Sequence, residues 1–480
     1  MNRAMIKYSL GKMLQIESIL LLLPFAIALY YNDLGKIPFL LSIIISFLIG
    51  SLLSYKKPTN QVIYAKEGFA LVALAWLALS LFGALPFYFS QEIPNYFDAF
   101  FETVSGFTTT GASILNAVED LSLSLIFWRS FTHWVGGMGV LVFALAIIPL
   151  AENRSMHLMR AEVPGPSAGK ILPKMKDTAK ILYLIYFGLT LIEVLLLKLG
   201  GMSFFDSLVH SFGTAGTGGF SSRNLSIGYY QSAYFEWVIG IFMVLFGINF
   251  NLYFYLLTRK FKPIFKNEEL KLYLLVIGLA TLAITINILP VINQLFPSVR
   301  TAFFQVASII TTTGYSSLDF NLWPAFSKVI LILLMFIGAS AGSTGGGIKV
   351  SRFIIFGRLI KKEIKRLIHP RSIEAIKLED KTLSEENLSG VSSYMLVYMA
   401  IFVVSLLLIA LERVDFETNF TSVATCLNNV GPGFGLVGPM NNFGFYSNFS
   451  KVLLSFNMLL GRLEIFPILL IFVPGFWKRK

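Results

Sequence analysis

One short motif is written twice in full and twice in degenerate form, and any fold of this chain must place all four copies. Ala99-Phe100-Phe101 leads through Ser105 into Thr108-Thr109-Thr110-Gly111, and Ala302-Phe303-Phe304 leads through Ser308 into Thr311-Thr312-Thr313-Gly314, at the same offset throughout. The weaker copies are Gly216-Thr217-Gly218-Gly219 and Asn429-Val430-Gly431-Pro432. Each follows a short apolar stretch and precedes a long apolar run. A repeated unit of this kind sets the architecture before any local propensity does. Glycine lacks a Cβ and tolerates unusual backbone angles. Four glycine-centred extended segments around an axis can therefore present rings of carbonyl oxygens, which substitute for the hydration shell of a potassium ion.

Composition decides the solvent. The chain has 480 residues, of which 55% are hydrophobic and only 14% charged, against about 25% charged in soluble domains. It reads as an integral membrane protein. The net charge of +12 comes from Lys and Arg in short connectors between apolar runs, the positive-inside pattern, and nucleic acid is excluded as a partner. The single cysteine, Cys426, rules out an intramolecular disulfide. His133, His157, His210 and His369 lack metal-ligand spacing. No catalytic triad or paired-carboxylate grouping is legible, so no enzyme activity is expected.

About 20 apolar residues cross a bilayer as a helix, and ten such spans are expected. Two N-terminal spans, near Leu14–Tyr31 and Pro38–Tyr55, occupy 1–66. Four units follow at 67–160, 161–262, 263–372 and 373–480, each a span, a short hairpin with the glycine step, and a second span. The expected fold is thus all-α, with four pseudo-symmetric membrane–pore–membrane units around one pore. The short helices, at Tyr96–Phe107, Ser203–Phe212, Val299–Ile310 and Glu417–Leu427, are too brief to span and read as re-entrant. Irregular backbone at membrane depth is tolerated where it is buried or lines a wet cavity. Each short helix aims its partially negative C-terminal end inward. Glu92, Asp98, Glu102, Asp206 and Glu417 fall on the hairpin side, where they would concentrate cations or cap the short helices. Both termini fall on the Lys/Arg-rich, cytoplasmic side.

Two interruptions mark function. Gly338-Ala339-Ser340-Ala341-Gly342-Ser343-Thr344-Gly345-Gly346-Gly347-Ile348-Lys349 breaks the second span of unit three, at about 1 kcal/mol per glycine relative to alanine in a helix interior. An intramembrane loop fits better than a phosphate-binding loop, because Ile348 separates the last glycine from Lys349 and no Ser or Thr follows. Arg462 lies within the last span, where a central arginine costs at least about 2.5–3.5 kcal/mol on insertion scales. Glu464, two residues on, does not share its helical face. Arg462 therefore either faces the interior or pairs with another helix. Arg129 and His133, four apart, share a face that ties unit one to its neighbours.

With these motifs the chain resembles the Trk/Ktr/HKT potassium transporter superfamily, and within it the bacterial Trk branch. The resemblance rests on the four units, the extra N-terminal pair, Trp128 to Gly139, Pro164-Gly165-Pro166, Thr217 to Ser221, Gly338 to Lys349 and Gly431-Pro432-Gly433, and it spans essentially the whole chain. It implies potassium uptake across the cytoplasmic (inner) membrane. It places the filter at Thr109, Thr110, Gly111, Thr217, Gly218, Thr312, Thr313, Gly314, Asn429, Val430 and Gly431, the only residues expected to hold a metal ion, potassium itself. It places a gate at Gly342, Ser343, Thr344, Gly345, Gly346, Gly347 and Lys349, with Arg462 in the path below the filter. It implies no bound cofactor, a homodimer in membrane lipid, and a cytosolic nucleotide-binding regulatory subunit, for which the basic stretch from Arg358 to Arg371 offers a docking surface. A sodium-coupled or sodium-permeable member and a membrane subunit of a potassium pump are the alternatives. Gly111, where sodium-preferring plant members carry serine, argues for potassium.

Overall fold

A computed structural model describes residues 1–147, 175–371, 375–379 and 381–477. The Pro164-Gly165-Pro166 motif, His157, the end of unit one's second span and the three C-terminal basic residues lie outside them. Apart from a hairpin pairing Lys377–Leu378 with Lys381–Thr382, the regular structure is helical, as composition and periodicity require.

The first span begins at Arg3, earlier than the apolar run alone indicates. Arg3–Leu20 and Leu22–Tyr31 together make a helical run of 29 residues, long and apolar enough to cross. It packs against Lys36–Leu53 through paired glycines: a Cβ on Gly11 would stand 2.5 Å from the Gly50 carbonyl oxygen, and one on Gly50 would stand 2.8 Å from that of Gly11. Small residues bring membrane helices this close, and packing rather than hydrophobicity then holds them.

The first span of every unit is long: Ala65–Gly83 running on into Leu85–Phe89, then Met175–Leu199, Glu268–Ile292 and Glu385–Ile409. The second spans differ. Unit one has Leu123–Ile147, 25 residues. In unit two the expected continuous span is broken into Ala233–Phe246 and Phe250–Leu257, bent by 93°. In unit three Ala325–Phe336 stops at the Gly-rich loop, and Val350–Ile368 resumes beyond it. In unit four Asn448–Arg462 ends before Phe466–Ile471, with Glu464 and Ile465 at φ of 54° and 70°. A β-branched residue at positive φ is a steric outlier. Its amide turns back to the Leu460 carbonyl oxygen at 2.8 Å. Of the ten expected spans, six helices among the described residues are long and apolar enough alone, and the bent pair would make a seventh. Of the remainder, the second spans of units three and four are interrupted, at the Gly-rich loop and at Glu464–Ile465, and that of unit one, Leu123–Ile147, runs unbroken to the edge of the described residues.

The four short helices are Tyr96–Phe107, Phe204–Gly216, Leu295–Ile310 and Phe416–Asn428. Their caps differ from those expected. Asn95, Ser203 and Asp415 accept the first free amides of units one, two and four, while Asp98, Asp206 and Glu417 sit in the first turn, where the helix dipole favours a carboxylate.

Candidate ion pathway

All four short helices end in the same way. An amide one or two residues past each C-cap turns back on the helix: Thr110 to Ser105 at 2.9 Å, Gly218 to Gly213 at 2.8 Å, Thr313 to Ser308 at 2.8 Å and Val430 to Thr425 at 2.9 Å. The residue before each is left-handed, with Thr109, Thr217, Thr312 and Asn429 at φ of 54–59°. The residue after each is a glycine at positive φ: Gly111 at 81°, Gly219 at 77°, Gly314 at 83° and Gly431 at 96°. These hydrogen bonds and angles fix the register. In unit two the glycine equivalent to Gly111, Gly314 and Gly431 is Gly219; Gly218, placed there from the sequence, occupies the position of Thr110, Thr313 and Val430. The Thr-Gly dipeptide misled by one residue, because in unit two a glycine, Gly218, fills the position that threonine or valine holds in the other three.

The four segments close into a ring in chain order. A Cβ on Gly111 would lie 2.0 Å from the Gly218 carbonyl oxygen, one on Gly219 2.1 Å from that of Thr313, one on Gly314 2.2 Å from that of Val430, and one on Gly431 2.7 Å from that of Thr110. Each glycine is thus required twice, by its positive φ and by the backbone of the next unit. The Thr109, Thr217, Thr312 and Asn429 side chains are wholly buried behind the ring. Thr108 and Thr110 share a hydroxyl hydrogen bond of 2.8 Å, as Thr311 and Thr313 do at 2.7 Å. Asn429 donates to the Thr110 hydroxyl at 2.9 Å, joining the last unit to the first.

On the side where the segments leave the ring lies a cavity of about 170 Å³, lined by all four ring glycines. The acids expected to enrich cations there are already engaged. Glu102 is buried in an ion pair with Arg129 and also accepts from the Ile114 amide. Asp98 pairs with Lys451 at 2.6 Å, Glu417 faces Lys328 at 3.8 Å, Glu92 accepts from the Ser122 amide, and Asp206 binds Ser203 and Ser222 beside Arg223. They act as caps and pairs. Arg129 stacks 3.7 Å from the Phe220 ring and donates to the Ser221 carbonyl. His133 donates from Nδ1 to the Gly106 carbonyl and accepts at Nε2 from the Phe220 amide, so its partners fix the neutral tautomer. Both residues stitch the unit-one helices to the ring segment of unit two.

Beneath the ring sits the Gly-rich loop. Ile337 and Ile348 bridge its neck, and the Gly338 amide meets the Ile348 carbonyl at 2.8 Å. Units two, three and four hold it directly, and Arg462 links it to unit one. The Gly346 amide donates to the Thr312 hydroxyl at 2.7 Å, and a Cβ on Gly346 would lie 2.7 Å from the Asn428 carbonyl oxygen. Ser340 donates to Gly247, and Phe250 donates to Gly342, both at 3.0 Å; the break in unit two thus supplies the polar backbone that meets the loop. Arg462 donates to the carbonyls of Thr344 and Gly136, each at 2.7 Å. The Lys349 ammonium, also buried, donates to the carbonyls of Gly345 and Gly346. Glu464 is paired instead with Arg352, so Arg462 is bound to backbone oxygens rather than to an acid. Sequence reasoning missed Glu269, whose carboxylate accepts from the Ala341 and Ser351 amides at 2.8 and 2.9 Å. Its place in the first turn of an apolar span was the available signal.

Comparison with known proteins fits this geometry. A family model described as a cation transport protein, TrkH, matches residues 36–479. The Trk system potassium uptake protein TrkH of Salmonella typhimurium is 39% identical over 468 residues, covering 95% of this chain and 96% of its own. The Trk system potassium uptake protein TrkG of Escherichia coli strain K12 is 33% identical over 473 residues, covering 98% and 97%. The crystal structure of the potassium transporter TrkH from Vibrio parahaemolyticus superimposes with a TM-score of 0.89 at 33% identity over 100% of both chains.

Proposed function

This chain belongs to the TrkH family of cation transport proteins, and from that premise we propose that potassium crosses it through the ring of Thr110, Gly218, Thr313 and Val430 carbonyls and the four ring glycines. It is an all-α, multi-pass membrane protein of potassium uptake. The closed succession of contacts from Gly111 to Gly218, Gly219 to Thr313, Gly314 to Val430 and Gly431 to Thr110 carries the reading of the filter. A ring of backbone oxygens can replace a hydration shell, and four helix C-termini converge on it with partial negative charge.

The loop of residues 338–349 is the gate in this reading. It is bonded to units two, three and four, Arg462 links it to the Gly136 carbonyl of unit one, and the Arg462 guanidinium beneath the ring opposes passage. The units 67–160, 161–262, 263–372 and 373–480 are the repeats. The Lys/Arg-rich side is cytoplasmic and holds both termini, the membrane is the inner one, and the protein works as a homodimer with a cytosolic nucleotide-binding subunit. The helix Val350–Ile368 supports that docking: its last turns carry Arg358, Lys361, Lys362 and Arg366 beside exposed Ile364 and Leu367. The chain itself needs no cofactor and catalyses no covalent step.

Purified protein in liposomes provides the test. Potassium uptake that sodium does not match, and that needs neither a sodium nor a proton gradient, is the expected result. Uptake that depends strictly on either gradient would replace the channel reading by a coupled one.

A further inference from the structure

The gate loop is fastened at both feet by one carboxylate oxygen. Glu269, 5% exposed, stands in the first turn of Glu268–Ile292. Its Oε1 accepts the Ala341 amide at 2.8 Å and the Ser351 amide at 2.9 Å. Ala341 lies on the ascending limb of the loop, and Ser351 begins the helix that leaves it. The Ser351 amide is one of the unpaired donors at the start of Val350–Ile368, where negative charge is favoured. Withdrawing Glu269 would leave two buried amides without partners.

The two residues before Glu269 hold the basic side of the protein. Asn267 caps its own helix through the Leu270 amide at 2.6 Å and donates to Glu379, beside the hairpin of Lys377–Thr382. Glu268 pairs with Arg358 at 2.5 Å, and Arg358 also donates to the Lys377 carbonyl. Arg358 lies on the helix whose first turn Glu269 holds. Asn267, Glu268 and Glu269 therefore tie the hairpin, the exit helix and the loop to one rigid helical start.

We propose that Glu269 is the positioning residue that latches the gate loop shut, and that Asn267-Glu268-Glu269 carries movement of the hairpin and exit helix to that latch. The proposal rests on the reading of the loop as a gate and names how that gate is controlled. The charge on the carboxylate is secondary to its reach, since one oxygen makes both bonds. A displacement of the exit helix at Arg358 rotates or withdraws the helical start, frees Ala341 and Ser351 together, and lets the loop leave the ring.

Potassium flux into liposomes, measured on the full chain with its melting temperature and potassium-to-sodium ratio, tests this. Glu269→Asp, one methylene shorter, should raise basal flux roughly tenfold or more, as expected when two hydrogen bonds holding one of two states are lost together. Glu269→Gln, which keeps an acceptor oxygen at full reach, should stay near wild type. Neither should alter the ion ratio. Arg358→Glu should raise flux, and combining it with Glu268→Arg should restore closure. Deleting Gly345 to Gly347 in the same assay separates the two ideas. If the deletion raises flux while folded Glu269→Asp does not, the latch is wrong and the gate stands; if neither raises flux, the gate reading falls too. Should Glu269→Asp fail to fold, the Arg358 and Glu268 pair decides, because both side chains are about one-third exposed. Restoration by the swap supports the relay, and unchanged flux in Arg358→Glu overturns it.

Discussion

The Arg462 guanidinium donates to the Thr344 carbonyl at 2.7 Å, so the helix Asn448–Arg462 of the fourth unit holds the apex of a loop that belongs to the third. Arg462→Ala would break this bond and the one to Gly136, and would remove a charge from beneath the ring. No buried acid is left unpaired, because Glu464 is held by Arg352. The variant should fold and transport potassium about tenfold faster or more, a charged hydrogen bond being worth about 1.5–3 kcal/mol. Liposome flux and thermal melting on one preparation check it; a large fall in melting temperature with lost flux would place the arginine in a structural role.

The register in unit two gives a sharper test of the ring. Gly111→Ser and Gly219→Ser each put a Cβ within about 2 Å of the next unit's carbonyl oxygen, so both should lower potassium preference over sodium. Gly218→Ala instead meets the His133 ring at 2.3 Å; it should lower the melting temperature while the folded fraction keeps its selectivity. Ion-competition profiles for the three variants distinguish these outcomes, and a Gly219→Ser profile equal to wild type would return the ring position to Gly218.

Glu102 and Arg129 are 0% and 3% exposed, behind the ring segments of units one and two. Removing one partner of a buried pair costs about 3–5 kcal/mol. Glu102→Gln should therefore destabilise strongly, and the double variant Glu102→Gln with Arg129→Met should lose less than the sum of the singles. A double-mutant cycle of melting temperatures measures the coupling.

Acid should loosen the start of the fourth short helix. Asp415 accepts from the Thr418 amide at 2.9 Å and its hydroxyl at 2.7 Å, and these bonds hold its carboxyl below the usual aspartate range. A depressed folded value means that this contribution is complete above the unfolded value, about 3.9, and is lost as pH falls through the folded one. Asp415→Asn keeps a capping side chain without the charge. Its melting temperature should fall less than wild type between pH 5 and pH 3, by a modest margin because the group is solvent-exposed.

The all-α membrane fold was legible because apolar length and Lys/Arg placement report directly on the bilayer. Two kinds of feature escaped. Gly219 escaped because a dipeptide match cannot see φ, and only the amide that turns back to Gly213 reveals which glycine follows the turn. The break in unit three was readable from its glycines, but that in unit two escaped because Ala233 to Leu257 is apolar enough to pass as one span despite Asn249 and Asn251 at the break; there the Gly342 loop carbonyl takes the Phe250 amide from nearly a hundred residues away. The partners of Arg462 were equally invisible, since backbone oxygens leave no mark in composition. Asp98 and Glu417 show the reverse case: their presence at helix starts was readable, but the capping atoms come from Asn95 and Asp415.

Only the third unit carries the Gly-rich insertion, although all four contribute to the ring. Four subunits of one identical sequence would have to bring four such loops to a single axis, where there is room for one. Joining the quadrants in one polypeptide allows a single occluding element with a different neighbour on every side. Each pore should consequently open in one step, and single-pore recordings should show no subconductance levels graded in quarters.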